Sequence, residues 1–393
     1  MHRLSDIQSA LRAERLDGWL LYDFKGLNPI ALRVAGVPAG TFLSRRWACF
    51  IPATGEPRWL AHAIEASGLA AIAPRIAAFV SWAEWREGLR ALLGGAGRVA
   101  MEVSPGCAIP YVSRVDAGTV ELIRSLGVEI VTSADLVQVA EAVWSAGQLA
   151  SHRRAVAALL AVKDATFAHV RERLAADLPL TECGIQDFML AQLGRHGLEC
   201  DHPPIVGVNG HAADPHFAPR RDADTPMRRG DLLLLDLWGR EPTPDAIVGD
   251  ITWVGYAGPA VPPAIQQVFD LVRRARDAAV AFAAGRLAAG QPVYGYQVDD
   301  ACRAVIVAAG FGPRFIHRTG HSIGATGHGN GVNLDNLETQ DRRRLIAGVG
   351  FSIEPGIYLP DEGFGVRLEI DCYVNGTELE VTTLPLQDEM VLL

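Results

Sequence analysis

Leu232-Leu233-Leu234-Leu235-Asp236-Leu237-Trp238 sets one acid in a run otherwise suited to a buried strand. Ile247-Val248-Gly249-Asp250-Ile251-Thr252-Trp253 does the same shortly afterwards. The arrangement returns near the C-terminus, in Phe351-Ser352-Ile353-Glu354-Pro355-Gly356 and Val366-Arg367-Leu368-Glu369-Ile370. Asp236 and Asp250 are 14 residues apart, Glu354 and Glu369 15, so each half offers two carboxylates on strands that read as neighbours. Outward from these runs, the pattern predicts helices over 149–174 and 181–196, the second capped by Thr181 after the break at Asp177-Leu178-Pro179. Strands 232–238 and 246–255 follow, then helices over 262–287 and 296–309, then strands near 350–354 and 365–374. Helix, helix, strand, strand, twice over, predicts an α+β domain of two like halves spanning 141–393, although no residue-level repeat is visible.

Residues 1–140 read differently. Trp19-Leu20-Leu21-Tyr22, Trp47–Pro52 and Val99–Val103 predict strands and Trp82–Leu93 a helix, which together suggest a smaller α/β domain. Met1–Asp6 reads as the start of an amphipathic helix rather than a signal peptide. A length of 393 residues suits two or three domains, and 49% hydrophobic content excludes wholesale disorder. The net charge of −9, from 45 acids against 36 bases, argues against coating nucleic acid. Only Lys25 and Lys163 are lysines, so no Lys-rich patch exists. No apolar run reaches the roughly 18 residues of a membrane span. Cys49, Cys107, Cys183, Cys200, Cys302 and Cys372 form no C-x-x-C pair, which predicts free thiols in a reducing cytoplasm.

The four carboxylates carry the chemistry. Buried together as free anions they would suffer desolvation and mutual repulsion, each worth several kcal/mol. They must be protonated, paired with cations or bound to metal. Arg367, two residues from Glu369 on the same strand face, can pair with one of them. His317, His321 and His328 fall within 12 residues in Phe315-Ile316-His317-Arg318-Thr319-Gly320-His321-Ser322-Ile323-Gly324 and its continuation. A histidine added to several carboxylates makes a hard, oxygen-rich site suited to two divalent ions of the Mn²⁺ type.

In this order, Asp236, Asp250, His321, Glu354 and Glu369 resemble the metallopeptidase clan with the pita-bread fold, which includes methionine aminopeptidase, aminopeptidase P and prolidase. The resemblance rests on Asp250-Ile251-Thr252, His317-x-x-Gly320-His321-x-x-Gly324, Ile353-Glu354-Pro355-Gly356-Ile357-Tyr358 and Gly365-Val366-Arg367-Leu368-Glu369. It covers about 150–393, and the preceding domain resembles the creatinase-type N-terminal domain of the prolidase and aminopeptidase P branch. The resemblance implies that Asp236 chelates one ion only, Asp250 and Glu369 bridge both, and His321 and Glu354 complete the coordination of the other ion. Glu354 would also be general base for a metal-bridging hydroxide that attacks the carbonyl before proline. His216, in Asp214-Pro215-His216-Phe217, matches the family's substrate-side histidine, and His317 and His328 match the two that contact substrate and stabilise the tetrahedral intermediate. Mn²⁺ is the expected metal, with Co²⁺ or Zn²⁺ as alternatives, and a homodimer is a family-level expectation.

Two departures stand out. Glu241-Pro242-Thr243-Pro244-Asp245 looks like a short hairpin insertion, making Asp245 a rival, poorly placed, for the second metal aspartate. The acid that often follows the last glutamate directly is replaced by Ile370, with Asp371 one place later. An Xaa-Pro dipeptidase needs a cation for the substrate's free carboxylate, and Arg343 in Glu338-Thr339-Gln340-Asp341-Arg342-Arg343-Arg344 is the candidate. The competing reading of Arg343 is a solvated basic turn, which leaves aminopeptidase P open. Pita-bread enzymes that work without metal, and binding modules on this fold, lose carboxylate ligands, whereas all five ligand positions are filled here. Gly94-Gly95-Ala96-Gly97-Arg98 reads as a turn, and Trp82 and Trp85 as packing residues.

Overall fold

The computed structural model describes residues 3–73 and 75–393, in two compact units that divide between Glu141 and Ala142. In the first unit β1 (Gly18–Asp23), β2 (Trp47–Pro52), β3 (Arg58–His62), β4 (Ile76–Phe79), β5 (Arg98–Met101) and β6 (Glu129–Thr132) make one sheet, ordered β4-β3-β2-β1-β5-β6. Side chains alternate across a strand, so a run apolar at every position is buried on both faces. Accordingly Trp19 and Leu21 pack with α1 (Leu4–Ala13), α2 (Pro29–Ala35), α3 (Ala66–Leu69) and α6 (Ala134–Val137). Leu20 and Tyr22 pack on the other side with α4 (Trp82–Leu93) and α5 (Ala117–Arg124). Met1 and His2, the start of the expected N-terminal helix, lie outside the described residues. Of the two tryptophans expected to pack, Trp85 is buried but Trp82 is 76% exposed, because it opens α4 on the solvent side.

The second unit opens with α7 (Ala146–Ala175), whose start is fixed by a capping box between Ser145 and Gln148. Thr181 caps α8 (Glu182–Arg195) by accepting from the Gly184 N–H. β7 (Ile205–Val208), which the hydrophobic pattern did not single out, adds to the hairpin of β8 (Leu232–Gly239) and β9 (Gly249–Tyr256). Then come α9 (Pro263–Ala288) and α10 (Gly295–Ala308), followed by β10 (Ser322–Ile323), β11 (Gly350–Ile353), β12 (Gly356–Leu359), β13 (Phe364–Arg367), β14 (Ile370–Asn375) and β15 (Glu378–Val381). β16 (Val391–Leu392) closes the chain beside β9. The sheets run β16-β9-β8-β7, β10-β11-β14-β15 and β12-β13.

Two breaks decide where the acids go. Pro355 brings no N–H to a ladder, and Glu354-Pro355 separates β11 from β12. The expected single strand 365–374 is two, β13 and β14, parted at Leu368-Glu369. Asp236 and Asp250 thus sit within strands, whereas Glu354 and Glu369 sit at strand junctions. An isolated bridge between Thr252 and Glu369 ties the second junction to β9. Apolar side chains of α7 and α8, such as Val162, Phe167, Ile185 and Met189, cover one face of the β7–β9 sheet. Val272 and Ala279 of α9 and Val298 and Cys302 of α10 pack with Phe351, Ile353 and Val366.

Candidate metal centre

The β8–β9 register sets Asp236 opposite Thr252 and Trp238 opposite Asp250, which places both aspartates on one face of the hairpin. Glu369 joins them across the bridge: its N–H donates to Thr252 O (3.2 Å), and Thr252 Oγ1 donates to Glu369 Oε2 (2.9 Å). His321 enters at the start of β10. A Cβ on the preceding Gly320 would lie 1.9 Å from the Ser352 carbonyl oxygen, so only glycine lets this loop lie flat on β11. The His321 N–H then donates to Ser352 Oγ (3.0 Å), which donates to Glu354 Oε1 (3.2 Å).

The outcome is a tight constellation. His321 Nε2 lies 3.4 Å from Glu354 Oε1, 3.8 Å from Glu369 Oε1 and 3.9 Å from Asp250 Oδ2. Ligand atoms of Asp250, His321 and Glu369 all fall within 4.8 Å of one another. Asp236 is held by Arg367, whose Nη2 donates to Oδ2 at 2.5 Å. The same guanidinium donates to Tyr358 Oη (3.1 Å) and Thr252 Oγ1 (3.2 Å). His317 Nδ1 is 2.7 Å from the Arg318 carbonyl, which can only accept, so the proton sits on Nδ1. Tyr358 therefore donates to His317 Nε2 (2.7 Å), completing a chain from Asp236 through Arg367 and Tyr358 to His317.

Burial governs the protonation states. Asp250 and Glu369 are pushed well above the carboxylate range by desolvation first, then Asp250 by the charges of Glu369 and Asp236 and Glu369 by those of Glu354 and Asp236. Burial also raises Glu354, to about 7, against the pull of Arg367 and Arg318. His321 is driven well below its ordinary value by burial and then by the His328 ring. It is a neutral imidazole. Its Nδ1 meets the Ser322 carbonyl (3.2 Å), so the Nε2 lone pair faces the carboxylates.

Four acids with one guanidinium among them are short of positive charge, and Asp250 Oδ1 is buried without a hydrogen-bond partner. Carboxylate oxygens plus one imidazole nitrogen form a hard donor set that divalent cations complete. The residues present fit such ions.

The other expected residues scatter around this centre. His328 is exposed, with its ring 4.2 Å from that of His321. His216 is exposed too, and its charge bears on His328. Asp245 lies exposed in the hairpin loop, outside the cluster. Arg343 is a correction. It is 2% exposed and forked onto Asp341 (Nε to Oδ1 2.9 Å, Nη2 to Oδ2 2.5 Å), with Nη1 on the Asn330 carbonyl (2.9 Å). Its guanidinium braces the 330–341 loop, and it is neither a solvated turn residue nor a poised clamp. Three residues not anticipated complete the surroundings. Arg318 Nη2 lies 3.5 Å from His328 Nδ1, and its charge bears on His317, His321 and Glu354. Tyr358 was legible only as the end of the Glu354-Pro355-Gly356-Ile357-Tyr358 motif. Asp371 is fully buried and accepts the Asp250 N–H at 2.8 Å, so the displaced acid anchors the backbone of a candidate ligand.

Comparison with known proteins identifies the family. Residues 150–376 match the model of Metallopeptidase family M24. The chain is 30% identical over 342 residues to a probable dipeptidase PepE of Mycobacterium tuberculosis, covering 85% of this chain and 82% of that protein. It is 31% identical over 195 residues to a Xaa-Pro dipeptidase of Lactobacillus helveticus, 47% of either chain. The crystal structure of dipeptidase PepE from Mycobacterium ulcerans superposes with a TM-score of 0.69 at 26% identity, covering 99% of this chain and 96% of that one. With the five-residue constellation lying inside the matched region, the chain belongs to metallopeptidase family M24, on the two-domain pita-bread architecture.

Proposed function

We propose that this metallopeptidase hydrolyses the Xaa-Pro bond of dipeptides at the Asp236, Asp250, His321, Glu354 and Glu369 centre, using two Mn²⁺ ions. The observation that carries the reading is the convergence of His321 Nε2 with carboxylate oxygens of Asp250, Glu354 and Glu369 at 3.4–3.9 Å. When bound, such an ion pair supplies a nucleophile at neutral pH and an electrophile for the scissile carbonyl. Glu354 takes the proton of the attacking water and returns it to the imide nitrogen as the bond breaks. His328 and His216 meet the substrate from the open side. His317, with Nδ1–H on the Arg318 carbonyl and Nε2 accepting from Tyr358, has no N–H left for the oxyanion and acts by orienting the Tyr358 hydroxyl that Arg367 also contacts.

With Arg343 committed to Asp341, the proposed partner of a dipeptide's carboxylate is Arg318, next to His328. The purified protein with Mn²⁺ is expected to turn over a Xaa-Pro dipeptide at higher kcat/KM than a Xaa-Pro-Xaa tripeptide. Turnover of the tripeptide alone would overturn the dipeptidase reading in favour of aminopeptidase P. Arg318→Ala should raise KM for the dipeptide more than for the tripeptide. Asp250→Ala should lose bound metal and more activity than the roughly 10–100-fold typical of outer-shell losses; full activity in that variant would refute the metal centre.

The same proposal places the enzyme in the cytoplasm as a homodimer. All six cysteines are unpaired, in keeping with a reducing compartment, and no helix of the described residues is long and apolar enough to cross a membrane. Light scattering on the purified chain tests the dimer.

A further inference from the structure

The inference concerns the residue that precedes proline, and it rests on the peptidase reading above. In β8 successive side chains alternate, so Trp238 projects to the same face as Asp236, and it pairs directly across from Asp250. Its indole is packed against the apolar cluster of Trp144, Ile247, Val248, Ile323 and Tyr373, which fixes the ring beside the two aspartates. The strand on the other side of β8 supplies a partner. Ile205 pairs with Asp236 and Glu199 bridges Arg240, so the intervening segment runs alongside Trp238. There the Trp238 Nε1–H donates to Asp201 Oδ1 at 2.8 Å. The Asp201 side chain remains 63% exposed, with His202 Nδ1 at 3.5 Å on its outer side.

A carboxylate oriented by a buried-edge indole, at the rim of a site rich in buried charge, has a use beyond solubility. Its charge reaches His328, whose ring lies tilted 4.2 Å from that of His321, and draws that imidazole's pKa up against the effect of burial. Through Trp238, which pairs with Asp250, Asp201 stands beside the strand face that carries the two aspartates. A guanidinium or ammonium would find a half-exposed carboxylate there, held in place by the indole N–H, which favours cations and repels acids. We infer that Asp201, positioned by Trp238, selects substrates with a cationic side chain on the residue before proline, arginine or lysine, over acidic ones. The selection works by attraction for one charge and repulsion of the other, so the ratio between them is the quantity to read.

The test compares kcat/KM of the Mn²⁺-loaded enzyme on Arg-Pro, Leu-Pro and Asp-Pro, and in parallel on Arg-Ala, Leu-Ala and Asp-Ala. The expected order is Arg above Leu above Asp. In Asp201→Asn the Arg-to-Asp ratio should fall about tenfold, the scale of one partly exposed attraction plus one repulsion removed. Asp201→Glu should retain most of the ratio. Because a ratio is independent of the fraction of active enzyme, a poorly folding variant still reports. A ratio unchanged within about twofold in Asp201→Asn overturns the inference. Hydrolysis of the alanine series with a silent proline series would overturn the Xaa-Pro reading, while the charge order in that series still decides the role of Asp201. Turnover of neither series overturns both.

Discussion

A carboxyl group at position 102 sits fully buried in the first unit, far from any role the centre gives to acids. It accepts from Trp19 Nε1 (2.5 Å), Asn28 Nδ2 (2.6 Å) and Ser133 Oγ (3.2 Å), yet desolvation outweighs these donors and raises it to about 7. Its folded pKa lies above the ordinary glutamate value of 4.5, so the folded state holds this proton more tightly than the unfolded chain. The associated stability is fully present below pH about 4.5 and is lost as pH rises through about 7, on the order of 3 kcal/mol in all. Thermal unfolding should therefore shift downward between pH 5 and 8, and Glu102→Gln should flatten that slope, even if its midpoint is lower throughout. An unchanged slope in the variant would show that the carboxyl is not what titrates. Nothing in Val99-Ala100-Met101-Glu102-Val103 announces this acid, because its environment is assembled from residues far away in the chain. The metal-centre acids were legible, since each breaks an apolar run and the runs recur in matched pairs.

At the level of elements, the centre depends on how closely loops and strands approach. Gly320 has no room for a Cβ against the Ser352 carbonyl, and both flank the path from His321 to Glu354. Gly320→Ala should displace the His321 loop, weaken metal binding and lower activity, with a backbone clash that no side-chain rotation relieves. Calorimetric titration with Mn²⁺ checks it: wild-type affinity in the variant would show that the loop can shift without moving the histidine. Helix order and helix caps were readable from local signals, as Thr181 and its bond from the Gly184 N–H illustrate. The junctions were less so. The run 365–374 is apolar and strand-forming almost throughout, and only pairing partners reveal that β12 takes its first part and β11 its second. The break between them is what turns Glu369 toward Asp250.

For the molecule as a whole, each unit has its own core, and the second concentrates like charge inside it. Ions that bind only the folded chain stabilise it in proportion to their affinity and concentration. Stripping metal with a chelator should lower the unfolding midpoint and abolish activity, and Mn²⁺ should restore both; an unchanged midpoint on stripping would mean the acids are already neutralised from within. The opening charge of −9 belongs to the chain without those ions. The sequence by itself determined the candidate ligand types, their order and the helix-helix-strand-strand plan of each half, because periodicity, caps and short motifs are local properties. Only the tertiary structure decided which cation meets which acid. Arg367 goes to Asp236, Arg343 to Asp341, and Arg318 to the side of His328. It also decided that Asp371 anchors Asp250 and that Trp238 holds Asp201 at the rim. Arg367 and Asp236, like Asp371 and Asp250, are more than a hundred residues apart in the chain. A charged side chain reaches a partner only after strands and loops are in register, and no spacing along the chain encodes that choice.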